Sequence, residues 1–201
     1  MTDTDSVYKF VQQKIALLDE DSSYSRAMCA RLRRAIGKPP GAVPDIWEIT
    51  LTGMPEQWRS SDDGMVSHAE WAIHTALTLY AIHRQSAEGS VNKKGESFGK
   101  AIAQLIRRDS NRLDSVKRRF NAVATATDFT ELAHHARGII QLLKQDNRQP
   151  MDYPSFAQDL FWFQMPGGAD RVRLRWGEDF YKENQYSQDS QQNTNEEEIN
   201  E

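Results

Sequence analysis

The chain has 201 residues, of which 38% are hydrophobic and 27% charged, and its mean hydropathy is −0.72. That length suits one domain, or two small ones, with a real core, and no apolar stretch reaches the roughly 20 residues that cross a bilayer. A single cysteine, Cys29, excludes an internal disulfide framework and a cysteine-cluster zinc site. Because the acidic start has no secretory or transit pattern, we expect a cytoplasmic protein without membrane attachment.

Apolar residues recur at helical spacing from the beginning of the chain. They do so over residues 7–18 and again over 23–36, where Gly37 and two prolines give a stop signal. Residues 46–51 are long enough only for a loop or a short helix, and a long helix is predicted over about 65–84.

The second half of the chain continues the helical pattern after an exposed loop over 85–97. Asp128 and Glu131 have the spacing of a capping box, and Pro154 suits the first turn of a helix. Further helices are predicted over about 98–106, 110–125, 128–143, 155–163 and 172–182.

These segments predict an all-α fold of two small helical bundles packed together. The bundles are expected over residues 1–88 and 97–183. Residues 184–201 are rich in Gln, Asn, Ser and Glu, so we expect them to form a disordered acidic tail.

The charge is unevenly distributed along the chain. The formal net charge is −4, yet residues 24–183 carry 23 basic and 19 acidic residues. Within them, residues 93–119 carry nine basic residues against three acidic ones. A globally acidic protein can therefore still present a basic surface to a polyanion.

Helical geometry groups several of these cations. Arg112 and Arg119 are seven residues apart and share a face, which Arg108 joins if the helix starts early, and Arg137 and Lys144 line up on the next helix. Arg33, Arg34 and Lys38 end the second helix, where a cation also suits the helix dipole. Aromatic residues are scarce in the basic segment, so nucleic-acid contacts there would rest on phosphates.

Other interpretations remain open for the same residues. The pattern is equally typical of solvated basic surfaces, or of a protein-only helical adaptor whose basic faces dock acidic partners. A metal-dependent hydrolase would have to use His68, Glu70 and His74, but the two histidines are six positions apart, which is poor spacing for joint metal ligation. We therefore expect no enzyme activity, no cofactor and no metal site.

An ordered series of short segments runs through the chain. The segments lie at 32–40 (LRRAIGKPP), 78–86 (TLYAIHRQS), 97–101 (SFGKA), 116–120 (VKRRF), 135–137 (HAR), 153, 159–160 and 176–181 (WGEDFY). In this order they resemble the small-subunit, CasB-like family of the type I-E CRISPR Cascade complex.

The resemblance implies a non-catalytic, two-bundle helical subunit that is present as a pair and contacts guide RNA, target DNA and other Cascade subunits. It implies that the protein braces the guide–target assembly and helps to hold the displaced strand of the R-loop. Together with the helical faces, it gives ten candidate nucleic-acid-binding residues. They are Arg33, Arg34, Lys38, Lys100, Arg108, Arg112, Arg118, Arg119, Arg137 and Lys144.

Overall fold

A computed structural model describes the backbone of residues 3–60 and 64–198, and the side-chain surroundings of residues 7–60 and 64–183. This part of the chain contains nine α-helices and, in place of strands, a single bridge between Asn92 and Met151. The predicted all-α class is confirmed. The helices are α1 (Asp3–Asp19), α2 (Ser23–Arg34), α3 (Trp47–Leu51), α4 (His68–His83), α5 (Phe98–Arg108), α6 (Leu113–Ala124), α7 (Phe129–Gln145), α8 (Tyr153–Phe163) and α9 (Gly168–Glu198).

Polar side chains at the helix starts explain where many helices begin. Each accepts a hydrogen bond from a backbone N–H of the first turn, which would otherwise have no partner. The capping residues are Ser22, Ser67, Ser97, Asp128 and Asp152. After α2, Gly37 adopts a φ of +74°, which favours glycine, and the chain turns there as its sequence predicts.

The central helix of the fold is α4. Fourteen of its 16 residues are buried, and it packs against α1, α2, α3, α7 and α8. A helix that is apolar around its whole circumference is stable only when other elements enclose it. Because α2 and α7 both pack on α4, basic residues from distant parts of the sequence flank one buried helix.

A second packing centre joins α5, α8 and α9. Phe98, Phe156 and Trp176 stack there, with the Phe98 and Trp176 ring centroids 4.8 Å apart. A Cβ at Gly99 would overlap the carbonyl oxygen of Trp176, so glycine permits the close approach of α5 and α9. Asp159 is buried beside this cluster and accepts hydrogen bonds from Trp176 Nε1 at 2.6 Å and from Arg175.

Helices from both predicted bundles contribute to one core. In particular, α8 packs against α1 and α4, and the buried apolar residues form a single cluster. The division of the chain into bundles 1–88 and 97–183 stays a prediction.

The last part of the chain that the structure describes is helical in its backbone. α9 continues to Glu198, whereas the sequence predicts the last helix to about residue 182 and disorder over 184–201. Residues 199–201 lie outside the described part. The predicted disorder therefore stays an expectation for the tail.

The helix predicted over 110–125 begins later than its sequence indicates. α5 ends at Arg108, a short 3-10 helix covers Ser110–Arg112, and α6 begins at Leu113. Arg108 therefore does not extend the helical face of Arg119.

Candidate nucleic-acid interface

Both α2 and α7 pack on α4. This packing brings basic side chains from the end of α2 close to basic side chains of α7. Arg33 lies in the last turn of α2, and Lys38 follows it, its N–H bonded to the Ala35 carbonyl at 3.1 Å. Arg137 and Lys144 are seven residues apart on α7, which places them on one face about 10 Å apart along the axis. With Arg148 in the following loop, these five residues form what we call the α2–α7 seam.

At one end of the seam, three cationic side chains lie close together. Arg33 donates a hydrogen bond to the Ala81 carbonyl at 3.4 Å, and Lys144 Nζ donates to Gln85 Oε1 at 2.8 Å. Burial, followed by the charges of Arg148 and Arg33, lowers the pKa of Lys144. No carboxylate among the described side chains lies within 4 Å of any of the three.

A buried histidine beneath this cluster is affected by the same charges. His83 is fully buried, with its Nδ1 3.0 Å from the Tyr153 hydroxyl. Burial, and then the charges of Arg148 and Lys144, lower the pKa of His83 to about 4. The imidazole is therefore neutral at pH 7, and all the positive charge at this end of the seam comes from the arginine and lysine side chains.

At the other end of the seam, Lys38 and Arg137 line a common cavity between α2, α4 and α7. Both side chains are exposed, and no described carboxylate pairs with either. The seam thus presents uncompensated positive charge along its whole length, and such a surface attracts phosphate groups.

Two of the sequence-predicted candidates are instead held by carboxylates. Arg108 donates to Asp146 Oδ2 at 3.1 Å and to Gln149 Oε1 at 2.8 Å. Arg112 bonds to the other oxygen of Asp146 at 3.1 Å and pairs with Asp109 at 3.2 Å. Their charges are largely cancelled where they lie.

The remaining candidates lie apart from the seam. Arg34 pairs with Asp45 at 3.7 Å, and both side chains are mostly exposed. Lys100 is half-buried on α5, while Arg118 and Arg119 are exposed on α6 and pair with no carboxylate of the described residues. No described contact links these last three to the seam, so their part in binding stays a prediction.

The sequence does not indicate Arg148 as a site residue. It follows the end of α7 in a loop and has a φ of +52°, so no helical periodicity places it. Only the packing of this loop against Lys144 and His83 brings it into the cluster.

The residues that a metal-dependent hydrolase would use have different structural roles. Glu70 accepts hydrogen bonds from the N–H groups of Ser60 and Ser67 at 3.1 and 2.9 Å and so caps α4, whereas His74 is buried in the cavity wall. Among the described residues, no group of three His, Cys, Asp or Glu side chains could hold a metal ion. Nor is any described helix both long enough and apolar enough to span a lipid bilayer.

Comparison with known families and structures agrees with this fold. Residues 28–181 match the family model described as CRISPR-associated protein Cse2. The chain belongs to the Cse2 family. The CasB-like resemblance predicted from the sequence is thereby confirmed, and no protein of curated function matches the sequence.

Solved structures give the same result. CasB from Thermobifida fusca is 34% identical, with 87% of this chain and 97% of that chain covered and a TM-score of 0.71. A Cse2-family protein from Thermus thermophilus is 20% identical, with coverage of 90% and 99% and a TM-score of 0.63. A chain of a CRISPR RNA-guided surveillance complex is 16% identical, with coverage of 93% and 98% and a TM-score of 0.70. The last two show that the fold is shared.

Proposed function

We propose that this chain is the non-catalytic small subunit of an RNA-guided CRISPR interference complex, and that its α2–α7 seam binds nucleic-acid backbone. The fold shared with a chain of an RNA-guided surveillance complex supports the first part. The observation that carries the second is the grouping of Arg33, Lys144 and Arg148 without a carboxylate within 4 Å in the described part of the chain.

The seam is suited to phosphate contacts that do not depend on sequence. Guanidinium groups match phosphate oxygens in a two-pronged geometry, and lysine adds point charges. In an RNA-guided complex, base pairing with the guide reads the sequence, and the exchange of the DNA duplex for the guide–target heteroduplex is close to balanced in free energy. A few backbone contacts from this subunit are then enough to favour the open R-loop.

The partners of this function are the guide RNA, the target DNA with its displaced single strand, and the other subunits of the complex. A second copy of this chain beside the first would lengthen the basic surface. We place the complex in the cytoplasm, where it meets foreign DNA.

Salt dependence provides the primary test. A single strand held by Z phosphate contacts loses affinity with a slope of about −0.7Z in a plot of log K against log salt concentration. Five seam cations therefore predict a slope of about −3 to −4 for single-stranded DNA, measured by fluorescence anisotropy. A slope near zero would contradict backbone binding.

Mutations locate the contacts within the assembled complex. We expect Arg137→Ala with Lys144→Ala to lower R-loop yield while thermal unfolding of the free chain stays unchanged. Arg26→Ala is the matched control, because Arg26 is 66% exposed and its charge is already paired with Asp21. Arg119→Ala, combined with Arg137→Ala, tests whether the α6 face contributes as well. An unchanged R-loop yield in the seam double variant would count against the proposal.

A protein-only helical adaptor is the alternative function. In that case the seam would dock an acidic protein surface, so seam variants would lose copurification with a tagged guide-RNA complex. Binding of DNA or heparin by the free chain separates the two functions, because only the nucleic-acid function requires it.

A further inference from the structure

The cavity at the Lys38 and Arg137 end of the seam has features that phosphate binding alone does not need. Its volume is about 390 Å³, and it lies between the end of α2, the middle of α4 and the first half of α7. Volumes of about 300–1,000 Å³ are typical of small-ligand sites. An α-helix, with a diameter of about 10 Å, needs an extended groove instead.

Aromatic rings form part of the cavity wall. Trp71 of α4 and Phe129 of α7 pack with their ring centroids 5.8 Å apart and their planes at 60°, and both side chains are half-buried. Neither residue belongs to the basic segment 93–119, in which the sequence shows few aromatics. The fold therefore brings stacking surfaces to the cations from two other helices.

A buried polar group lies in the same wall. His74 is only 3% exposed, and neither of its ring nitrogens has a hydrogen-bond partner of acceptable geometry among the described residues. Burial lowers the pKa of His74, while the nearby carbonyls of Ala35 and Lys38 raise it to a smaller extent. Both ring nitrogens also have almost no accessible surface, so the His74 ring closes the cavity wall and does not offer a polar atom to a ligand.

The cavity volume, the apolar ring surface and the two cations at the rim fit a single class of ligand. From them we infer that this cavity receives one unpaired nucleobase of the bound strand. The base would lie against the rings, and Lys38 and Arg137 would hold the adjoining phosphates. Free phosphate would leave the rings unused, and an apolar peptide side chain would leave the cations unused.

This inference rests on the proposed function, because it describes how the seam holds its strand. Base–aromatic stacking contributes about 1–3 kcal/mol for each base in single-strand binding. Occupation of the cavity should therefore make binding depend on the presence of bases, although the contacts along the rest of the seam do not.

Two labelled probes of equal phosphate number measure this dependence. One is an oligothymidylate of about ten nucleotides, and the other is an abasic strand of the same length. For the unmodified full-length chain we expect the oligothymidylate to bind about tenfold more tightly than the abasic strand, as measured by anisotropy.

One variant connects the ratio to the cavity. Ala133→Trp adds bulk from the half-buried α7 side of the cavity, so the ratio should fall to near one. Ala16→Trp, on an exposed part of α1, is the control for added bulk and should leave the ratio unchanged.

The outcomes separate this inference from the proposed function. Equal binding of both probes, with a steep salt slope, overturns the nucleobase site and leaves backbone binding intact. A ratio that Ala133→Trp leaves unchanged also overturns it. If neither probe binds with a salt-dependent affinity, the proposed function fails, and the inference fails with it.

Discussion

Two groups of basic residues lie against α7, and they differ in their acidic neighbours. At the seam, Arg33, Lys144 and Arg148 share no described carboxylate within 4 Å. Near the end of the same helix, Arg108 and Arg112 both bond to Asp146. Both groups consist of basic residues, so the sequence alone does not distinguish them. The position of one carboxylate therefore decides which cations remain available to a polyanion.

The largest expected effect comes from reversing charge in the seam. Arg33→Glu with Lys144→Glu changes four units of charge, which should weaken binding of single-stranded DNA about 500-fold at about 0.1 M salt, with a correspondingly shallower salt slope. Anisotropy titrations measure both quantities. Arg26→Glu is the control, and an equal loss in that variant would show that net charge, not the seam, controls binding.

In a further arginine–carboxylate pair, Arg175 with Asp159, the carboxylate itself is buried. Burial, only partly offset by Arg175, raises the pKa of Asp159 to about 7. The folded state therefore binds this proton more tightly than the unfolded state, and the resulting stability is lost as the pH rises from about 4 to 7. Between pH 5 and pH 8 this group should lower the free energy of unfolding of the wild type by about 2–3 kcal/mol. The Asp159→Asn variant should not show this loss.

Urea unfolding of both proteins at the two pH values tests this expectation. The difference between wild type and variant removes contributions that both share, including that of His83, whose low folded pKa lowers stability as the pH falls through the range 6.5 to 4. Parallel pH dependence in the two proteins would show that Arg175 compensates the buried charge completely.

Removing the Asp146 carboxylate should leave Arg108 and Arg112 available to a polyanion, as the seam cations are. Asp146→Asn leaves Arg108 and Arg112 without that ionised partner, so we expect single-stranded DNA to bind about fivefold more tightly and the salt slope to steepen by about 0.7 to 1.4. Adding Arg108→Ala should reverse part of the gain. Unchanged affinity in Asp146→Asn would show that charge at this end of α7 does not face the strand.

The smallest effect is expected at Arg34. It is 65% exposed and its contact with Asp45 is 3.7 Å long, so it contributes little to stability and only weakly to the field of the seam. Arg34→Ala should change DNA affinity less than twofold and leave the unfolding midpoint nearly unchanged. A loss as large as that of Arg137→Ala would extend the seam to this residue.

Most of the helices were predictable because their apolar periodicity and end signals are local. Gly37 ends the second helical segment and Pro154 lies in the first turn of α8, as the sequence predicts. The capping interactions at the helix starts were harder to predict. The reciprocal capping box forms between Ser67 and Glu70, which the sequence pattern did not single out. At Asp128 only half of the predicted box forms, because Glu131 accepts from the N–H of Thr127.

The site was predictable only in part, because it depends on long-range packing. Helical spacing grouped Arg137 with Lys144, and the structure places both in the seam. The bonds from Asp146 to Arg108 and Arg112 span 38 and 34 residues, and no local pattern encodes them. The same holds for Trp71 and Phe129, which meet only because α4 and α7 pack together.

The backbone conformation of the loop after α7 has a further consequence for ligand binding. Asn147 and Arg148 adopt φ values of +50° and +52°, a left-handed backbone geometry that costs a non-glycine residue about 1–2 kcal/mol. The chain bears this cost when it folds, before any ligand is present. Less freedom is then left for the Arg148 backbone to lose if the seam binds an anion as proposed, which would reduce the entropic cost of that binding.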